Sequence, residues 1–465
     1  MVFSSLTFLL LFLPLTLGLY YAVRGIRARN GVLCLCSLVF YAWGEPVWVL
    51  LMLFSILFNY GIGLALERSA RPAGRRLLLG LALLVNLGAI GLFKYGNFVL
   101  ENLGLLLGSP MPVLSFSLPL GISFYTFQIL SYVLDVYRKK VPTQHNLLHL
   151  ATYIVLFPQL VAGPIVRYED IRDQLKDRRT DLAGFTCGLR RFAIGLGKKV
   201  ILANAMAAIA DPILDASALP AGTAWLAAAA YMLQIYFDFS GYSDMAIGMG
   251  HFFGFRFSEN FNYPYAAVSV TDFWRRWHIS LSTWFRDYVY IPLGGSRRSP
   301  ARNLLNLLVV WLLTGLWHGA AWNFVLWGLY YGLLLIVERS IPERILSRCP
   351  AILRRILTLL AVFFGWILFR LTSLSALGSI LSDLFTPAPA ALGTWLSAHP
   401  ETLQQTFWLL PALIGCFPLA AWIRKRYGQA SWYPWFSGLW AFCIFLFSLA
   451  LLLGATYNPF IYFRF

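Results

Sequence analysis

Long apolar runs follow one another almost without interruption along this chain, near 5–23, 31–43, 46–66, 77–93, 117–136, 147–163, 183–208, 222–237, 303–317, 320–337, 353–372, 404–423 and 434–456. Crossing a bilayer takes roughly 20 apolar residues of helix. Hydrocarbon offers no water to satisfy backbone groups, so a spanning segment has to bond within itself. The chain therefore reads as an all-α polytopic membrane protein. Its residues are 59% hydrophobic and 12% charged, with a mean hydropathy of +0.67, against about 45–50% and about 25% in soluble domains. The stretch 31–43 is short, and 94–116 and 239–300 are mixed, so some segments are partial, re-entrant or interfacial. That leaves about eleven crossings.

The first apolar run lacks a basic region before it and an obvious cleavage site after it; Arg24, Arg27 and Arg29 follow it. It reads as a retained anchor rather than a removed signal. Basic residues mark cytoplasmic loops. The Arg24–Arg29 loop, the Arg68–Arg76 loop and Arg138–Lys140 share one such face if the amino terminus is extracytoplasmic, with Gly44-Glu45-Pro46 a turn on the opposite side. The net charge of +17 then reflects loops that meet anionic lipids. Its scatter between spans argues against a nucleic-acid surface. Six cysteines (34, 36, 187, 349, 416, 443) show no metal-ligand spacing, and no metal site is inferred. Residues 1–465 read as a single membrane domain without a soluble module or internal repeat. The polar section 167–182 is expected to be a surface helix or loop, and 386–391 with the polar residues through Gln405 an extramembrane loop.

The section 231–325 differs from its surroundings. It sets Asp238, Ser240, Tyr242, Ser243, Asp244, Asn260, Asn262, Asp272, Arg275, Arg276, Asp287, His278 and His318 among apolar and aromatic residues. Ionisable groups at membrane depth are costly and mark functional sites by default. Irregular polar backbone there needs protein or a water-filled cavity around it. The active-site core is therefore expected here. Each histidine follows a tryptophan, in W-R-R-W-H-I-S-L-S (274–282) and L-W-H-G-A-A-W-N-F (316–324), and imidazole exchanges protons near neutral pH. His318 is read either as a general base or as a structural histidine bonded between helices. Thr271-Asp272 suits a helix start. On that helix Trp274, His278, Leu281 and Phe285 would share a face, with His278 lining a site or standing incidentally on an interfacial helix.

The carboxylates of F-D-F-S-G-Y-S-D (237–244) need partners, for which arginines of 275–286 or a histidine are available; an ion pair is the expected role of Asp238 and Asp244. Phe157-Pro158-Gln159 and Ala162-Gly163-Pro164 break a helix and shape a cavity. The carboxyl-terminal N-P-F-I-Y-F-R-F (458–465) reads as an interface anchor, and Tyr462 also as a hydroxyl that a histidine could activate. Candidates for touching substrate or lining a channel are Asp238, Tyr242, Asp244, Asn262, Trp274, Arg275, Trp277, Ser282, Trp317 and Asn323.

Taken in order, L-P-L-G-I-S-F-Y-T-F-Q (118–128), F-P-Q-L-V-A-G-P-I (157–165), Y-F-D-F-S-G-Y-S-D-M-A-I-G (236–248), N-F-N-Y-P-Y (260–265), D-F-W-R-R-W-H-I-S-L-S-T-W-F-R-D-Y-V-Y-I-P-L-G-G (272–295) and L-W-H-G-A-A-W-N-F resemble the membrane-bound O-acyltransferase family. The likeness covers nearly the whole chain and is greatest to the alginate O-acetyltransferase branch. It implies a ring of helices around a thinned centre with a channel open to both faces. His318 matches the family's signature catalytic histidine and His278 its second channel histidine. The implied reaction moves an acetyl group from a cytoplasmic donor, acetyl-CoA, toward an extracytoplasmic polysaccharide such as alginate, cellulose or cell-wall glycan. The resemblance also implies a bacterial inner membrane and an extracytoplasmic partner of the serine-hydrolase type, with no bound cofactor or metal. A similar aromatic tail is associated with acyl relay on a small companion protein, which makes Tyr462 a relay candidate. Three other readings stay open: an acyltransferase of this fold with a lipid, peptidoglycan or teichoic-acid acceptor, a transporter, and a scaffold.

Overall fold

The computed structural model describes residues 1–161, 163–216, 219–371, 373–386, 388–454 and 460, without the side chains of Glu343, Leu346, Ser347 and Leu374. Among these residues every regular element is helical. Five helices are long and apolar enough to cross a membrane: Trp48–Arg68, Pro72–Leu107, Leu182–Leu214, Ala351–Arg370 and Tyr433–Gly454. The bent pair Pro400–Gly415 and Leu419–Tyr427 makes a sixth if it is one broken span. Several other expected spans are helices that fall short in length, such as Ile122–Tyr137 and Leu147–Val155. Others are of spanning length but carry more polar residues, such as Ala224–Phe252.

The chain divides into two compact units, Met1–Phe192 with Asp244–Ser258, and Ala193–Ser243 with Glu259–Phe465. In the first, a buried polar clasp joins neighbouring helices: the Asn59 and Asn86 amides each donate to the other's oxygen, at 3.1 and 2.9 Å. Such pairing removes the cost of leaving amides unsatisfied in hydrocarbon. The helix break at Phe157-Pro158-Gln159 is satisfied locally. Gln159 Nε2 donates to the Tyr153 carbonyl at 2.6 Å, and the Phe157 N–H donates to Ser37 Oγ at 3.1 Å. Gly163 adopts φ 113°, where a side chain would be strained; Ala162 lies outside the described residues. In the polar 167–182 section, Tyr168–Lys176 is a helix that buries Tyr168, Ile171 and Leu175, so it is packed on one face.

Two expectations change further along the chain. The F-D-F-S-G-Y-S-D segment is regular, lying inside the 29-residue Ala224–Phe252 helix. The 386–405 region, expected as a loop, carries the helices Pro389–Ala398 and Pro400–Gln405. Both begin with proline at a first-turn position, where its missing N–H is harmless.

The hairpin Pro300–His318 and Trp322–Ser340 places His318 at a helix end. Glycines let the two backbones meet. A Cβ on Gly328 would lie 2.4 Å from the Trp311 carbonyl oxygen, and one on Gly315 2.2 Å from the Phe324 carbonyl oxygen. Backbone cannot move aside as a side-chain tip can. Gly328→Ala is therefore expected to cost about 1–3 kcal/mol through forced separation of the helices. Thermal unfolding of the detergent-solubilised protein checks this; an unchanged midpoint would mean the hairpin has slack.

Candidate active site

The helix expected from Thr271-Asp272 through Phe285 is two helices, Val270–Arg276 and Ile279–Phe285. Its actual N-cap is Ser269, whose Oγ accepts the Asp272 N–H at 3.0 Å. The Glu338 carboxylate accepts the Val270 and Thr271 N–H groups at 2.6 and 3.1 Å, an acid at the positive end of a helix. Between the helices Trp277 is extended and His278 is left-handed, with φ 44° and ψ 53°. A non-glycine residue in that region costs of order 1–3 kcal/mol and persists only where its surroundings impose it.

The imposing segment is 260–262. The Ile279 N–H donates to the Asn260 carbonyl at 3.0 Å and the Asn262 N–H to the Arg276 carbonyl at 2.9 Å. The Ser280 N–H donates to Asn260 Oδ1 at 3.3 Å. Backbone groups freed by the break are thus satisfied from one strap of chain. The shared face expected for Trp274, His278, Leu281 and Phe285 does not form. His278 instead opens the second helix, and its ring is 1% exposed.

His278 Nδ1 lies 3.2 Å from Asn260 Oδ1 and 3.4 Å from Ser280 Oγ. Its Nε2 is buried and has no hydrogen-bond partner among the described residues. The Phe239 ring meets the imidazole edge-on at 4.6 Å. His318, 6% exposed, is walled by Trp327 at 5.0 Å and Phe369 at 5.2 Å. Trp317 touches both imidazoles, with ring centroids 5.9 Å from His278 and 4.9 Å from His318. The two histidines therefore meet one indole inside an aromatic enclosure. Beyond it, Trp274 packs on Trp311, Trp327 and Tyr331, and Trp277 on Phe261, Phe273 and Trp366. Such a setting excludes water and leaves the imidazole nitrogens as the groups able to move protons.

The other sequence candidates separate. Asp238, 2% exposed, is ion-paired with Lys199 Nζ at 2.8 Å. Asp244 belongs to the first unit, where it pairs with Arg191 at 2.6 Å. Ion pairs were expected, but with arginines of 275–286 or a histidine; the partners come instead from the Leu182–Gly197 helix and the π-helical Lys198–Ala203 that continues it. Arg275 and Asn262 are exposed, whereas both histidines are buried. Arg276 is held by Asp272 at 2.8 Å. Ser282 Oγ donates to the Trp274 carbonyl at 3.3 Å, a structural bond. Asn323 Nδ2 donates to the Phe369 carbonyl at 3.0 Å, while its Oδ1 is buried without a partner among the described residues.

Tyr242 is buried against Phe460, their rings 4.2 Å apart, and Phe460 also meets Phe239 at 6.0 Å. Phe460 belongs to the carboxyl-terminal aromatic tail, so the tail reaches the helix whose Phe239 covers His278. Tyr462 itself lies outside the described residues. Sequence reading gave no role to Asn260, Ser280, Lys199 or Glu338. The repeated asparagines of N-F-N-Y-P-Y were the available signal for Asn260.

Known proteins resemble this chain over most of its length. A family model described as membrane-bound O-acyltransferase matches residues 76–381. The probable alginate O-acetylase AlgI of Pseudomonas aeruginosa is 45% identical over 438 residues, covering 92% of this chain and 83% of the relative. That of Pseudomonas putida is 39% identical over 498 aligned residues and covers 100% of both chains. The peptidoglycan O-acetyltransferase of Helicobacter pylori is 36% identical over 420 residues, covering 83% of this chain and 80% of the relative.

Proposed function

Because the chain belongs to the membrane-bound O-acyltransferase family, we propose that this multi-pass membrane enzyme takes an acetyl group from cytoplasmic acetyl-CoA and passes it across the membrane for O-acetylation of an extracytoplasmic polysaccharide, alginate first among the candidates. The acceptor follows the relatives named alginate O-acetylase. The observation that carries the site is the burial of His278 and His318 against one shared indole. His318 removes the proton from the attacking hydroxyl, whose oxygen bonds to the thioester carbonyl carbon. The carbon–sulfur bond then breaks, and the imidazolium returns its proton to the departing thiolate. His278 positions the donor or steadies the charge that develops. Only the acyl group changes sides, so the donor itself never crosses.

The ring of about eleven helices around a channel, the extracytoplasmic amino terminus and the bacterial inner membrane belong to the same proposal. So does an extracytoplasmic serine-hydrolase-type partner that hands the acetyl group to the glycan. Tyr462 is proposed as the hydroxyl that first receives it. Support comes from Phe460, two residues earlier, which is buried against Tyr242 and Phe239.

Reconstituted protein incubated with acetyl-CoA carrying a radiolabelled acetyl group is expected to hold label on Tyr462, and Tyr462→Phe to abolish it. Absence of label during turnover would remove the relay. Absence of transfer to any acceptor, partner included, would remove the donor assignment.

A further inference from the structure

The hydrogen bonds around His278 fix which of its two nitrogens carries the proton. Asn260 is fully buried, and its amide orientation is settled by an unambiguous donor: the Ser280 backbone N–H, which can only donate, faces Oδ1 at 3.3 Å. The opposite end of the amide agrees, since Nδ2 donates to Ser243 Oγ at 3.0 Å. The atom facing His278 Nδ1 at 3.2 Å is therefore an oxygen that can only accept. The second neighbour of Nδ1, Ser280 Oγ, is farther at 3.4 Å and directs its own hydrogen to Asn260 Oδ1 at 2.8 Å, leaving Nδ1 to donate there too. In neutral imidazole one nitrogen donates and the other accepts, and the bond made by one sets the role of the other.

We propose that Asn260 is a positioning residue that locks His278 as the Nδ1–H tautomer, so that Nε2, which has no hydrogen-bond partner among the described residues, presents a lone pair to the substrate. This rests on the acyltransferase reading above and decides between the two roles left there for His278. A neutral imidazole with its lone pair outward cannot donate a hydrogen bond to an oxyanion. It accepts one, from a substrate hydroxyl or from an amide N–H of the donor's arm, and so holds a proton-bearing group in register with the thioester. The left-handed backbone at residue 278 belongs to the same device. The Ile279 and Ser280 N–H groups and the ring all converge on Asn260, so one residue fixes both the bend and the tautomer.

The test reads tautomer and activity separately. Protein labelled with ¹⁵N-histidine contains six histidines, and a His278→Gln variant assigns the resonances of residue 278. The wild type is expected to show a protonated Nδ1 and an unprotonated Nε2. Asn260→Asp keeps an acceptor against Nδ1, and Ser243 can turn its hydroxyl to donate, so the tautomer and most of the transfer rate are retained. Asn260→Leu removes the acceptor. It is expected to give mixed tautomers and to lower kcat by roughly 10–100-fold, the range seen when the outer partner of a working histidine is lost, with unchanged KM for acetyl-CoA. A protonated Nε2 in the wild type overturns the proposal. So does Asn260→Leu with an unaltered His278 spectrum, or with an altered one and wild-type kcat. Should Asn260→Leu fail to accumulate, the wild-type spectrum and Asn260→Asp decide. If the tautomer is as stated while His278→Gln transfers acetyl normally, the role of His278 in the reaction fails and the tautomer assignment stands.

Discussion

His318→Gln is expected to lower acyl transfer by roughly a hundred- to ten-thousand-fold, the contribution of a positioned general base. Glutamine keeps most of the imidazole's volume between Trp327 and Phe369 but cannot take a proton near neutral pH. Alanine would add a cavity among those rings, with a stability loss of its own, so the glutamine variant is the cleaner measurement. The neighbouring rings offer no second base: Trp317, Trp327 and Phe369 have no titratable nitrogen in the working range. His278 has its Nδ1 engaged by Asn260 and is assigned to holding the donor, so residual transfer in His318→Gln that is lost on adding His278→Gln would measure what its Nε2 can supply as a substitute base. Transfer from radiolabelled acetyl-CoA, normalised to the amount of folded protein, is the readout. Wild-type transfer at normal abundance would sink the assignment of His318 as base.

The parts of this site legible in the sequence are those that cost most to place in a membrane. Two imidazoles and two carboxylates at membrane depth announce themselves because hydrocarbon penalises them, and the tryptophans beside each histidine mark the enclosure. Partners were not legible, because pairing is decided in three dimensions. Lys199 and Arg191 lie 39 and 53 residues before the carboxylates they neutralise, and nothing in local spacing selects them over the arginines of 275–286. Breaks were not legible either. D-F-W-R-R-W-H-I-S-L-S contains no proline or glycine, so periodicity continues the helix through His278. The interruption comes from the 260–262 strap, which supplies acceptors and a donor that a continuous helix would not need. Conversely, F-D-F-S-G-Y-S-D carries a glycine and polar residues that suggest irregular backbone. Yet it stays helical, because Gly241 packs against the Gly195 carbonyl, where a Cβ would lie 2.7 Å away.

The buried pair of Lys199 and Asp238 separates structural from chemical roles in this core. Lys199→Met is expected to destabilise the protein by about 3–5 kcal/mol, since it takes the ammonium away from the buried Asp238 carboxylate while the carboxylate stays in place. With side chains 3% and 2% exposed, neither charge can recover solvation without opening the packing around it. Asp238→Leu alone is expected to cost a similar amount for the converse reason, the loss of the carboxylate from a buried ammonium. The double variant Lys199→Met/Asp238→Leu removes both charges together. Replacing a buried ion pair by packed apolar groups is often neutral or stabilising by about 1–4 kcal/mol, so thermal stability and abundance should return. The acyl-transfer rate of the double variant then carries the decision. A structural pair predicts transfer close to wild type, because the Asn260 bond to His278 and the Trp317 contacts with both imidazoles remain in the double variant. A double variant that folds normally yet transfers nothing would place Asp238 or Lys199 in the reaction itself, and would make the ion pair the resting state of a working group.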